Sequence, residues 1–199
     1  MAEKNIDDFS SIFTKQLKPA QGLLLLAEPF MDSPEFRRSV ILLTEHGQKG
    51  SMGFIVNRKL NITPAQAIDD FPKFEDMLYY GGPVSSDQLF YLHTLGSLLE
   101  GSIEILPGVY MGGDFEALKD MLHNKQVGPT QIKFFAGYSG WTANQLNKEL
   151  KENSWIVAKG KAEHLFNNKD QEKLWKQVLH NLGGKYAMIA EFPEDPTLN

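Results

Sequence analysis

The chain has 199 residues, 42% of them apolar, a formal net charge of −5, a pI near 5.5 and no cysteine. That length and apolar content fit one domain with a real core. The missing cysteine excludes disulfides, thiolate catalysis and cysteine-ligated metal, and the acidic balance weighs against a nucleic-acid surface, which is usually basic.

Ile6, Phe9, Ile12, Phe13 and Leu17 recur at helical spacing and predict an amphipathic helix over residues 5–16. Residues 1–20 therefore read as an N-terminal helical extension that Pro19 ends. The start, Met1–Phe9, has no basic segment leading into an apolar one, so it does not read as a signal peptide. Gly22–Ala27 is an apolar run far too short to span a bilayer and reads as a strand buried on both faces. Ser33-Pro34-Glu35 opens at most one helical turn. Residues 39–46 and 52–57 are strands joined by a Gly47–Gly50 turn. Thr63-Pro64-Ala65-Gln66 is a capping box opening a short helix that ends near Phe71-Pro72. Strands are expected at 77–80 and 88–95 around a Gly81-Gly82-Pro83 turn, and at 102–106 and 109–111 around Pro107-Gly108. Asp114 caps a helix with Phe115, Leu118, Met121 and Leu122 on its apolar side. Gly128-Pro129 leads into the segment Ile132–Leu150, which reads as a strand, a turn framed by Gly137 and Gly140, and a helix capped by Thr142 and Gln145. A strand at 154–158 and a helix at 170–182, stopped by Gly183, complete the order. Residues 21–192 form one α+β domain with mainly antiparallel pairing, and 193–199 a loose tail.

Three patterns bear on chemistry. Gly137-Tyr138-Ser139-Gly140-Trp141 comes within one residue of the nucleophile elbow G-x-S-x-G, with Asp170 and His180 following in a usable order. Trp141 stands where the second glycine is required, so a serine hydrolase built on Ser139 is an alternative and not the leading reading. The histidines show no H-x-H or H-x-x-x-H spacing, and no glycine loop has a Walker frame, so neither metal nor cofactor is expected. Arginine is confined to Arg37, Arg38 and Arg58 in a chain otherwise served by lysine, as a site needing a planar bidentate donor would have it; ordinary surface cations are the competing reading.

Four blocks carry a likeness to a known family: Gly22–Val56 with its E-H and G-F-I-V-N elements; Gly81-Gly82-Pro83-Val84 with Leu89-Phe90 and Leu92-His93; Gly137–Trp141 with Gln145-Leu146, Glu149 and Trp155; and Asp195–Asn199. Through them the chain resembles the AlgH/YqgE family of bacterial proteins. The resemblance implies a single domain with a strongly bent, mostly antiparallel sheet forming a pseudo-barrel, helices packed outside it, and a cytoplasmic location. It implies a role in transcriptional control but no defined reaction.

The leading expectation is a non-catalytic binding or regulatory module whose partner is a protein or a small ligand, with no specific DNA binding and no membrane. A direct DNA-binding regulator is the third reading, suggested by the family and resisted by the charge. The candidate surface joins Arg38 as a bidentate anion donor, Asn57 and Gln145 as amide hydrogen-bonders, Tyr138 and Trp141 as flat walls, with Gly82 and His93.

Overall fold

Four leucines and an alanine make β1 (Leu23–Ala27), buried along almost its whole length because it is sandwiched within the sheet. It pairs antiparallel with β2 (Val40–Gly47) on one side, Leu24 opposite Leu42, and with β9 (Trp155–Lys159) on the other, Leu25 opposite Val157. The computed structural model describes residues 17–166 and 170–193. The expected helix over 5–16 and nearly all of the tail lie outside them.

β2 turns through Gly47–Gly50 into β3 (Gly50–Ile55), with a register slip between Leu43 and Glu45. A short helix α1 (Pro64–Ala67) follows, and Gln66 accepts the Thr63 N–H at 2.8 Å as a capping box requires. It stops well before Phe71, because Ile68 is already extended and Asp70 is left-handed. β4 (Tyr79–Tyr80) and β5 (Val84–His93) do not form the hairpin that Gly81-Gly82-Pro83 suggests. Both pair with β8 (Ile132–Thr142), β4 in parallel and β5 antiparallel. β6 (Ile103–Leu106) and β7 (Val109–Met111) are the hairpin expected around Pro107-Gly108. The strand order is β6-β7-β5-β8-β3-β2-β1-β9, with β4 beside β8.

Five further α-helices follow among the described residues: α2 (Phe115–His123), α3 (Gln145–Lys151), α4 (Glu163–Phe166), α5 (Leu174–Leu182) and α6 (Gly184–Ile189). Asp114 caps α2 through Oδ1, which accepts from Glu116 and Ala117 at 3.0 Å.

The sheet is bent and open. Ile105 and Leu106 from one end of the strand order share a core with Leu24 and Ile156 from the other, so that face is the inside of the bend. Gln21 Nε2 reaches the Glu104 carbonyl at 2.8 Å, tying the two ends by a side chain where no strand ladder joins them. α5 packs Trp175, Val178 and Leu179 into this inner core. The outer face carries two separate clusters. In one, Leu118 of α2 clusters with Phe134 and Tyr91; in the other, Leu146 of α3 clusters with Ile41, Leu25 and Trp141.

β8 differs most from the sequence expectation. Residues 137–140 are strand, not turn. Gly137 does take a positive φ, +67°, but it does so because the Gly81–Gly82 segment crosses there. A Cβ on Gly137 would lie 2.5 Å from the Gly82 oxygen, and one on Gly82 would lie 2.4 Å from the Tyr138 oxygen. The glycines permit a backbone crossing in the middle of a sheet.

Candidate functional site

Asn57, just past β3, bonds the chain leading into β2. Its Oδ1 accepts the Val40 N–H at 2.8 Å and its Nδ2 donates to the Arg38 carbonyl at 3.0 Å. This fixes Arg38 in a left-handed conformation, φ +51°, just ahead of β2 and not within it. From there the half-buried Arg38 donates through Nη2 to the Phe192 carbonyl, and its guanidinium lies 4.8 Å over the Trp175 ring. Arg58 folds back onto the same corner, donating to the Glu35 carbonyl at 2.7 Å and the Arg37 carbonyl at 3.3 Å.

The three arginines thus meet. With Asn57, Lys59, Lys173 and Lys176 they line a cleft of about 350 Å³, with Trp175 beneath and Glu172 as its acidic member. The lysines are already engaged. Lys173 pairs with Asp170 at 2.6 Å, Lys176 with Glu191 at 2.7 Å and Lys59 with Asp76 at 2.9 Å. Among the described residues neither Arg37 nor Arg58 is in an ion pair. Behind Lys59, Asp76 also binds the buried Lys133, which donates to the Tyr79 hydroxyl at 3.2 Å. Burial opposes ionisation of Asp76, but the hydrogen bonds from Lys133 and Lys59 hold its carboxyl below the ordinary value.

The remaining candidates lie elsewhere. Trp141 is buried, and its indole N–H donates to Glu149 Oε2 at 2.8 Å. The same oxygen accepts from Trp155 at 2.7 Å, and the two rings meet edge to face at 5.9 Å. Gln145 donates to the other Glu149 oxygen at 3.0 Å and accepts the Thr142 N–H at 3.0 Å. Helix α3 starts at Gln145 with Asn144 left-handed at its cap, so Thr142 and Gln145 join strand to helix without Thr142 being the cap itself. Half-buried Tyr138 packs edge to face on Phe90 and lines an open groove of about 500 Å³ with Met52, Val84, Gly140 and Trp141. Gly82 supports that strand from behind.

His93 is fully buried. Its Nδ1 accepts the Leu95 N–H at 3.2 Å, which places the proton on Nε2 for donation to the Gly112 carbonyl at 2.8 Å. Burial pulls its pKa down, so the ring is a neutral connector between β5 and the chain after β7.

The candidates therefore fall into three places: Arg38 with Asn57 in the basic cleft; Tyr138, Trp141, Gln145 and Gly82 about β8 and α3; and His93 alone in the interior. Arg37 and Arg58 join the cleft unassigned by the candidate surface, although the scarcity of arginine marks them. Nothing in the sequence pattern marks Trp175, since its part depends on how the C-terminal helices dock. Ser139 is fully buried in mid-strand and donates to the Gly81 carbonyl at 3.1 Å, not at the strand–helix corner that an elbow needs. Among the described residues no group of three His, Cys, Asp or Glu side chains is arranged to hold a metal, and no helix is long and apolar enough to cross a membrane.

Residues 24–187 match the family described as AlgH-like. A UPF0301 protein of Bacteroides thetaiotaomicron is 43% identical over 98% of this chain and 100% of its own length. The UPF0301 protein CT0663 of Chlorobaculum tepidum is 38% identical over 92% of this chain and 96% of its own. The solution structure of the AlgH protein from Pseudomonas aeruginosa superimposes with a TM-score of 0.69 at 28% identity, covering 90% of this chain and 98% of that one. The crystal structure of protein DIP2367 from Corynebacterium diphtheriae shares the fold, with a TM-score of 0.74 at 23% identity over 90% of this chain and 95% of that one.

Proposed function

The chain belongs to the AlgH-like family, and we propose that it is a cytoplasmic, non-catalytic binding or regulatory module whose ligand is an anion held in the arginine cleft. One observation carries this reading: all three arginines of the chain converge on one cleft, and two of them have no carboxylate partner among the described residues. A guanidinium offers a planar fork of donors that suits carboxylate and phosphate oxygens. Arg58 and Asn57 also hold the surrounding backbone by hydrogen bonds, so the donors are arranged before a ligand arrives. Arg38 spans the cleft and the C-terminal helices, which suits a site whose occupancy is felt by the rest of the molecule.

The buried position of Ser139 supports a non-catalytic reading. The net charge of −5 supports regulation through a bound ligand in preference to direct DNA contact, because non-specific DNA affinity is mainly electrostatic. Isothermal titration of inorganic pyrophosphate at low salt tests the proposal, with labelled duplex DNA near 0.15 M salt as the counter-ligand. Binding of pyrophosphate that weakens about tenfold in Arg37→Gln and Arg58→Gln is expected, since a charge-assisted hydrogen bond is worth about 1.5–3 kcal/mol. Affinity unchanged by both substitutions, or sequence-selective DNA binding tighter than about 10⁻⁷ M, contradicts it.

A further inference from the structure

We infer that the groove beside Tyr138 is a second binding site, and that its ligand is a free apolar α-amino acid, held by both of its charges and by its side chain. The groove is separate from the arginine cleft. β2 and β3 run from one to the other, with Arg38 and Asn57 at the cleft end and Gly47 and Gly50 at the groove end.

Strand register builds the groove. Residues directly opposite one another project from the same face of a sheet. Glu45, Met52 and Gly140 stand opposite in turn on β2, β3 and β8, and so do Gly47, Gly50 and Thr142. Met52 and Tyr138 pack on the inner core, so both rows lie on the inner face, at one end of the bend. Three of these six positions are glycine, and the missing side chains leave a depression. Glu45 stands in it because the register slips after Leu43; Thr44 is the extra residue, and the carboxylate comes opposite Met52. β5 follows β8 only as far as Val84 opposite Tyr138, so the exposed Gly140 has β3 on one side and no strand on the other.

Gly140 keeps that space open. A Cβ on Gly50 would lie 2.3 Å from the Trp141 oxygen, so the backbone itself demands glycine there. Gly140 has no positive φ, and the nearest neighbours of a Cβ would be the Tyr138 ring at 3.2 Å and Val84 Cγ2 at 3.6 Å, both side chains. Glycine at 140 therefore provides room beside a tyrosine ring for a group from outside the chain.

The walls define that group. Tyr138, Met52 and the exposed Val84 give an apolar floor. Glu45 and Lys49 stand exposed at the hairpin rim, and neither is in an ion pair among the described residues, with the other or with any third group. One free carboxylate and one free ammonium, held apart beside a small apolar floor, match the ammonium and carboxylate of a zwitterion whose side chain enters next to Gly140. The groove, about 500 Å³, admits an amino acid whole.

The test is a ¹H–¹⁵N titration of the full chain with L-leucine and with L-phenylalanine, each to about 10 mM, where a complex of millimolar Kd is close to saturation. N-acetyl-L-leucinamide, which keeps the side chain and carries neither charge, is the control. At least one of the amino acids should give saturating shifts gathered at residues 45–52, 84 and 138–142, and the blocked compound should bind about tenfold more weakly or not at all. Glu45→Gln and Lys49→Gln, both at exposed side chains, should each weaken the amino acid about threefold or more. Gly140→Val, which fills the space, should abolish the shifts while the spectrum of residues 35–40 stays in place. No saturating shift with either amino acid overturns the inference, as does equal binding of the blocked compound. Binding undiminished by either charge substitution, or binding that survives Gly140→Val, puts the ligand elsewhere and also overturns it.

Discussion

Arg38 is held from both ends. Its carbonyl accepts from Asn57, and its guanidinium donates to the Phe192 carbonyl while covering Trp175. A lysine can place one ammonium near that carbonyl but cannot lie flat on the indole as a guanidinium does. We expect Arg38→Lys to lower stability by about 1–3 kcal/mol and Arg37→Lys, on an exposed side chain, by no more than about 0.5 kcal/mol, read from guanidinium chloride midpoints. Equal midpoints for the two variants would refute the role assigned to Arg38. The scarcity of arginine marks Arg38 in the sequence, and the structure places Asn57 beside it. The three-way meeting was not legible, because Arg58 reaches Glu35 and Arg37 across more than twenty residues of sequence. Trp141, expected as a flat wall of a binding surface, is instead buried in the core. Its sharing of one Glu149 oxygen with Trp155 depends on how α3 lies across the sheet, which no local spacing encodes.

At the scale of elements, β8 shows where local reading stops. Gly137 and Gly140 look like a turn because paired glycines usually mark one. The demand for a positive φ at Gly137 is real, but its cause is the crossing of Gly81–Gly82, which is distant in sequence. Hairpins with their own glycines, β2–β3 and β6–β7, were legible because turn and pairing are both local. β4 and β5 were not, since each takes β8 as partner in place of its neighbour. α4 and α6 are too short to show a helical period, and Gly183, expected to stop α5, bends the chain straight into α6. The crossing makes a sharp prediction. Gly137→Ala puts a methyl 2.5 Å from the Gly82 oxygen and 2.8 Å from the Val84 oxygen at a positive φ, whereas Gly128→Ala meets nothing within 4 Å. Chemical melts should show a loss of more than about 2 kcal/mol for the first and under about 0.5 kcal/mol for the second. Near-identical melts would mean that the two chains part easily at the crossing.

Across the whole molecule, the bend of the sheet and its mostly antiparallel pairing were legible through the family resemblance, which implies a pseudo-barrel; the sheet is bent but not closed. Which helices lie inside the bend was not, because burial of Trp175 and Val178 looks the same in sequence on either face. The interior also sets a pH response. Burial pulls the pKa values of His93 and His164 down from the ordinary 6.5. The unfolded chain then binds protons more readily than the folded one, so stability is complete above about pH 6.5 and is lost as pH falls through the folded values. Asp76, held low by Lys133 and Lys59, adds a further loss at still lower pH, below its unfolded value near 4. Urea midpoints should hold steady from pH 8 to 7 and decline from about 6.5 downward; a flat profile to pH 5 would show that neither buried ring resists protonation. The claim on which the functional account turns is that the arginine cleft receives anions. Its most direct test is a ¹H–¹⁵N titration of the full chain with inorganic pyrophosphate, following backbone amides and arginine Nε–H signals. The account predicts shifts gathered at residues 35–40, 57–59 and 172–176, with the Arg37 and Arg58 side chains moving furthest. Shifts gathered instead around Tyr138 and Trp141, with the arginine signals still, would contradict it.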